Sequence, residues 1–302
     1  MEDLKSTNIQ RLDVKDIERQ LARCPALPSL GSINQELQQL LLTEQNYAAQ
    51  IAEIIQRDPS LTSRLLQLVN SIYYSQSTPV NNIEEAVFYL GIRQIRQFAM
   101  ITPIIEDFQR LTRQCDFPWS NFWQHCIGTA ILTREVIASV QLASNESDYV
   151  AGLMHDVGKI VMAWTFPDHF TAIHRQATQA RQDLPEIETE ILGMDHAELG
   201  ALYLERYKLP ELIVKVARFH HHPEKTDQYA PTIAAVQLAD LLLRSEKIGY
   251  SGNGVVLTRE QCFAASGYTI LFSNVKENEH AMAQASLSRI LKRIPEMLKG
   301  MV

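Results

Sequence analysis

Apolar positions along this chain recur at spacings of three and four, and no stretch alternates apolar with polar residues as a half-buried strand does. The pattern predicts an all-α protein. A first amphipathic stretch covers Val14 to Ala22, and Cys24-Pro25-Ala26-Leu27-Pro28-Ser29-Leu30 is a proline-punctuated connector. Helices are then expected at Ile33 to Leu42 and Tyr47 to Gln56. Asp58 followed by Pro59 sets an N-capping carboxylate before a proline at the first helical position, and the helix it opens carries Leu61, Leu65, Leu68 and Ile72 on one face. Asn81 and Asn82 open another at Ile83 to Leu90, Gly91 ends it, and Ile92 to Met100 begins the next. From Pro118 onward the spacing predicts helices at Ser120 to Ser139, Tyr149 to Asp156, Ile160 to Ala163, Asp168 to Ala180, Glu186 to Leu192, His196 to Tyr207, Pro210 to Phe219 and Ile233 to Ser245. A glycine-bearing loop, Lys247 to Val256, precedes the last two, Arg259 to Ala265 and Glu277 to Leu298. Asp195 with Glu198 three residues on resembles a capping box with aspartate in the Ser/Thr role, which puts His196 in a first helical turn.

With 302 residues, 46% of them hydrophobic and only 21% charged, the chain can bury a large core as one large domain or two intimate ones. A net charge of −7 without long single-sign runs argues against a protein that binds duplex nucleic acid, which needs a basic field. The polar start, MEDLKSTNIQRLDVKD, lacks the charged and apolar regions of a secretory signal. Ile233 to Leu243, among the longest apolar stretches, is interrupted by Gln237 and Asp240 and is too short to span a bilayer. A cytoplasmic location without a membrane partner is therefore expected. Cys24, Cys115, Cys126 and Cys262 are scattered and form no C-x-x-C pair, as for reduced core thiols.

The chemistry centres on Gly152 to Lys159, GLMHDVGK. His155 and Asp156 stand at the end of a small-residue helix, with Gly158 expected to stop it. On a continuing helix, neighbours diverge; at a helix end both can address one cation. Other donors occupy positions that a helical core would fill with apolar groups. His125 lies beside an inward stripe, with Gly128 expected to keep the adjacent space open. His220 extends the face of Ile213, Val216 and Ala217, and His221 and His222 follow before Pro223 halts the helix. Asp240 interrupts an apolar helix and needs a cation; a surface ion pair with Arg244 at i+4 is the ordinary alternative. The ordinary alternatives elsewhere are a capping aspartate, hydrogen-bonded core histidines and a histidine on the helix C-terminal dipole.

Together His125, His155, Asp156, His196, His220, His221 and Asp240 are five imidazoles and two carboxylates on separate helices, more than one ion would use. Two divalent ions about 3.5 to 4 Å apart, bridged by Asp156, would activate a water and clamp the oxygens of a phosphoryl group. A nitrogen and oxygen donor set suits iron or manganese, with zinc and nickel as alternatives. Lys159, a turn beyond the dipeptide, is the candidate catalytic residue that holds a phosphate oxygen; its ordinary alternative is a solvated surface lysine.

The order His, then His-Asp-x-Gly-Lys, then a distant Asp on an apolar helix resembles the HD superfamily of metal-dependent phosphohydrolases. PALPSL at Pro25 to Leu30, RDPSLTSRLLQLVNS at Arg57 to Ser71, YLGIRQIRQF at Tyr89 to Phe98, FWQHC at Phe122 to Cys126, GLMHDVGK, DHAELGALYLERYKLP at Asp195 to Pro210 and RFHHHP at Arg218 to Pro223 together resemble the HDOD family, over roughly Leu21 to Arg244. The resemblance implies an HD-type multi-helix bundle: an N-terminal helical subdomain at 1–115, a metal-binding helical core at 116–245 and a C-terminal helical extension at 246–302. It also implies a bacterial signalling or regulatory role, with a phosphoester or nucleotide ligand and a signalling protein as partner. Many HDOD members lack part of the metal-ligand set, whereas here every position of the dinuclear pattern of the related HD-GYP phosphodiesterases is filled. The Gly-Tyr-Pro signature itself is absent: after His222 the chain reads Pro-Glu-Lys-Thr-Asp-Gln-Tyr-Ala-Pro, so cyclic di-GMP hydrolysis is not supported. Pairing His220 with His221, in place of His221 with His222, rests on aligning the helix end. Two readings follow, a metal-dependent phosphohydrolase and a non-catalytic regulatory module with a structural or redox-responsive metal site.

Overall fold

The computed structural model describes residues 9–25, 85–86, 115–144, 146–180, 182–273 and 275–299, and every regular element among them is helical. In chain order these are α1 (Val14–Leu21), α2 (Trp119–Ser139), α3 (Glu146–Met154), α4 (Val157–Thr165), α5 (Pro167–Ala180), α6 (Leu184–Ile191), α7 (His196–Arg206), α8 (Glu211–Phe219), a 3-10 turn (Pro223–Lys225), α9 (Ala230–Ser245), α10 (Arg259–Phe263), α11 (Ser266–Phe272) and α12 (Glu277–Leu298). The expected helices at 33–42, 47–56, 59–72 and 92–100 lie outside the described residues. So does that at 83–90, apart from the helical Glu85 and Ala86.

Several helix starts follow from their capping residues. The Asp13 carboxylate accepts from the Asp16 N–H at 2.8 Å, and Thr258 closes a full capping box with Gln261. At α7 only half of the expected box forms: Asp195 accepts from the Glu198 N–H, but the Glu198 carboxylate turns away to the Arg218 guanidinium, 2.9 Å from its Nε. A charged partner on another helix outcompetes one more backbone bond.

The core is laid around α2, which buries Phe122, His125, Cys126, Ile127, Thr129, Ala130 and Leu132 among α3, α9 and α12. A helix covered on most sides carries no clean amphipathic stripe. The C-terminal helix belongs to the same core, through Leu287, Leu291 and Ile294. At the other end, α1 lies against α4; the Tyr207 hydroxyl donates to the Cys24 carbonyl at 2.7 Å, and that of Tyr203 to the Pro25 carbonyl at 2.9 Å. No helix of the described residues is long and apolar enough to cross a membrane.

Two glycines act otherwise than their sequence context suggests. Gly158 does not stop a helix; α3 ends at Met154, α4 begins at Val157, and Gly158 lies inside α4. A Cβ there would sit 1.8 Å from the His196 carbonyl oxygen, and one on Gly200 would sit 2.9 Å from the Gly158 nitrogen. The two glycines let α4 and α7 cross backbone to backbone, which brings His196 to the His155–Asp156 turn. Gly128 likewise keeps no space open, because Leu243 of α9 fills it, 3.1 Å from where a Cβ would stand.

All four cysteines are free and buried. Burial pushes the Cys24 thiol up to about 11, against a hydrogen bond with Thr165, and raises Cys115 as well, with help from the Asp168 charge. Thiolate is the reactive form, so native protein should give no rapid reaction with Ellman's reagent and all four thiols after unfolding in guanidinium. A fast-reacting thiol in the native state would contradict this packing.

Candidate metal centre

The break between α3 and α4 falls on His155 and Asp156, which frees both side chains from helical divergence. Helix ends leave carbonyls without intrahelical partners, and two histidines use them. His155 Nδ1 lies 2.7 Å from the Gly152 carbonyl, and His220 Nδ1 lies 2.8 Å from that of Ala217. A carbonyl only accepts, so each Nδ1 carries the proton and each Nε2 presents its lone pair on the far side of the ring. The capping and ligand readings of these histidines are thus compatible in one side chain. His196 is held in the same way by a carboxylate: Glu188 Oε2 accepts from its Nδ1 at 2.6 Å and from its backbone N–H at 2.8 Å.

The free nitrogens converge on Asp156. His196 Nε2 lies 3.1 Å and His220 Nε2 3.7 Å from Oδ1, while His155 Nε2 lies 3.3 Å and His125 Nε2 4.0 Å from Oδ2. His125 Nε2 is also 3.0 Å from Asp240 Oδ1, and His221 Nε2 is 3.0 Å from His196 Nε2. All seven residues expected from the sequence fall into three overlapping groups with donor atoms within 4.8 Å of one another: His125, His155 and Asp240; His155, Asp156 and His220; His196, His220 and His221. His222 lies outside these groups, its ring 58% exposed and paired with Glu224 at 3.0 Å.

Four atoms of the cluster are buried without a well-aligned hydrogen bond: the Nε2 atoms of His125, His155 and His220, and Asp156 Oδ1. Each such orphan costs on the order of 1–3 kcal/mol. The rings of His155 and His220 are anchored on the opposite side and aim their Nε2 lone pairs inward, which is the arrangement a divalent cation satisfies. The donor set therefore fits the metal that the sequence implies.

The electrostatics agree. Burial would raise the Asp156 carboxyl, but His155 and Lys159 bring it well below the usual carboxylate range. Asp240 is likewise held low against burial, chiefly by Arg244 and then His125. Burial lowers His125 against the opposing Asp240, lowers His220 to about 3 and takes His221 well down, which keeps these rings neutral, the ligating form. In His196 burial is outweighed by Glu188, which lifts it to about 9, so ion binding there displaces a proton.

Two ordinary alternatives are corrected. Lys159 is no surface lysine; it is 3% exposed and donates to Asp156 Oδ2 at 2.6 Å. The Arg244–Asp240 pair forms, at 3.5 Å, but is not at the surface: the Arg244 side chain is 10% exposed and that of Asp240 5%. Glu188 was missed by sequence reasoning, although it shares the inward face of Leu184 and Ile187, the same signature that marks Asp240. Glu188→Ala should release the His196 ring and weaken metal binding about 10–100-fold, as loss of an outer partner does. His222→Ala serves as the control, with unchanged affinity by competition titration; a comparable loss there would shift the ligand register by one.

A profile of the HDOD domain family matches residues 27–223. An uncharacterised protein of Treponema pallidum (strain Nichols) is 26% identical over 226 residues, 74% of this chain and 43% of its own length, so the chain spans less than half of that relative. Among solved structures, an HDOD domain protein of unknown function from Geobacter sulfurreducens superposes with a TM-score of 0.74 at 22% identity, over 94% of this chain and 99% of its own. A candidate phosphohydrolase from Shewanella amazonensis SB2B gives 0.68 at 22% identity, over 95% and 98%. A candidate signal transduction protein from Marinobacter aquaeolei VT8 gives 0.67 at 18% identity, over 99% and 68%. At these identities the likeness establishes a shared helical fold.

Proposed function

Because the chain belongs to the HDOD family, we propose that it is a cytoplasmic signalling protein whose buried histidine–aspartate cluster binds two divalent transition-metal ions, iron or manganese, and hydrolyses a phosphoester or nucleotide. In this reading 116–245 is the metal-binding core, 1–115 meets a signalling protein and 246–302 is a supporting extension.

The observation that carries the proposal is the pairing of anchored Nδ1 atoms with inward, unpartnered Nε2 atoms. Asp156 has one oxygen toward His196 and His220 and the other toward His155 and His125, as a bridging carboxylate requires. His125, His155 and Asp240 would hold one ion, and His196, His220 and His221 the other. Bound divalent ions supply Lewis acidity and a water of lowered pKa. The chain itself supplies the rest. Glu188 fixes the His196 ring, Arg244 keeps Asp240 ionised, and Lys159 sets a further positive charge beside the bridge, where a phosphoryl oxygen would pair with it.

One observation favours the non-catalytic regulatory module: His125, His155, Asp156, His196, His220 and Asp240 are all withdrawn from solvent, and structural metal sites are closed where catalytic sites keep an open position. Protein loaded in turn with manganese, iron, zinc and nickel decides between the two when assayed on bis-p-nitrophenyl phosphate and on linear and cyclic nucleotides. The proposal expects hydrolysis that Lys159→Met reduces by at least about tenfold, as loss of one charge-stabilising contact does. Bound metal with no turnover across all four ions overturns the hydrolase and leaves the regulatory module.

A further inference from the structure

Gln237 lies three residues before Asp240 on α9, so the two share a helix face, and its amide is buried in an otherwise apolar run. Every polar atom of that amide is used. Nε2 donates to the His221 carbonyl at 2.7 Å, and Oε1 accepts from the Gly267 N–H at 2.7 Å. The carbonyl only accepts and the N–H only donates, so the orientation of the amide is fixed by its partners.

The His221 carbonyl follows the end of α8, where carbonyls lack intrahelical partners. The same α11 start that reaches Gln237 also reaches the next histidine. Ser266 Oγ donates to Glu224 Oε2 at 2.7 Å, and Glu224 Oε1 pairs with His222 Nδ1 at 3.0 Å. The approach depends on Gly267, where a Cβ would stand 2.6 Å from the Ala234 carbonyl and 2.7 Å from Gln237 Oε1. The histidine run is thus gripped at two successive residues, His221 through Gln237 and His222 through Glu224, by a segment beyond the residues 27–223 that the family profile matches.

We infer that Gln237 is a positioning residue that, anchored on α11, sets the peptide at His221 so that His220 and His221 face the cluster while His222 faces solvent. The inference rests on the metal-binding reading above and assigns part of that centre to the C-terminal extension. Gln237→Glu is the discriminating change. It keeps an acceptor for the Gly267 N–H but replaces the donor facing the His221 carbonyl with an acceptor.

The test is Mn(II) titration of metal-stripped full-length protein, followed by electron paramagnetic resonance, with folding checked by circular dichroism. Q237E should bind the ion of His196, His220 and His221 about 10–100-fold more weakly, leave the ion of His125, His155 and Asp240 unchanged, and add nothing to the loss caused by H221A. Gln237→Met, of similar volume and without the donor, should reproduce the selective loss if Q237E folds poorly. A wild type with tight Mn(II) and a Q237E variant that matches it, whatever its melting temperature, overturns the positioning role alone. A wild type that binds no Mn(II) overturns the metal reading and this inference together.

Discussion

Gly158→Ala should melt about 5 °C below the wild type in the metal-stripped state and lose most of its affinity for metal. The Cβ would stand 1.8 Å from the His196 carbonyl oxygen, and the obstacle is backbone, which no rotamer change relieves. The helices α4 and α7 must separate. Overpacking of this kind costs about 1–3 kcal/mol, occasionally more, and about 3 kcal/mol corresponds to that fall in a chain of this size. The separation carries His196 away from Asp156 Oδ1, now 3.1 Å from its Nε2, so stability and metal affinity drop together. Circular dichroism melts and a metal competition titration check both, and an unchanged melting temperature would mean that the helices do not cross as described.

Asp156→Ala should abolish tight binding of both ions and destabilise the protein even without metal. Asp156 is within 4.0 Å of four imidazoles and of Lys159, so its removal takes the shared ligand and strands a buried ammonium. Breaking one side of a buried pair costs about 3–5 kcal/mol. The double variant Asp156→Ala, Lys159→Met removes the stranded charge, and should regain most of the melting temperature and none of the metal. If Asp156→Ala keeps full occupancy, the bridging role is wrong; if the double variant melts no higher than the single, Lys159 is not the source of the instability.

The helical fold was legible because the apolar spacing is regular from α2 to α9, and the boundaries found there differ from the spacing by a few residues at most. Ser266–Phe272 was not legible: one aromatic-rich turn after Gly267 is too short for periodicity to separate from a loop. His155, Asp156, His196 and His221 stood out because they fall at helix ends, and His125, His220 and Asp240 because each is polar where a helix face calls for an apolar residue. Glu188 had that signature too, and only the contact with His196, eight residues on, gives it meaning. What Gly158, Gly128 and Gln237 do depends on atoms of helices distant in sequence, and no local pattern carries that. Lys159 misled for another reason: a lysine stem packs like an apolar chain, and nothing local tells a buried lysine from a solvated one.

The most direct test of the metal centre is the elemental content of the purified full-length chain, read beside its melting temperature before and after a strong chelator. One or two equivalents of iron, manganese, zinc or nickel, removed only with a fall in melting temperature and restored by re-addition, is the expected result. A chain that carries none of these metals, and is not stabilised when each is added back, would contradict the centre and leave the inward-facing imidazoles without a purpose.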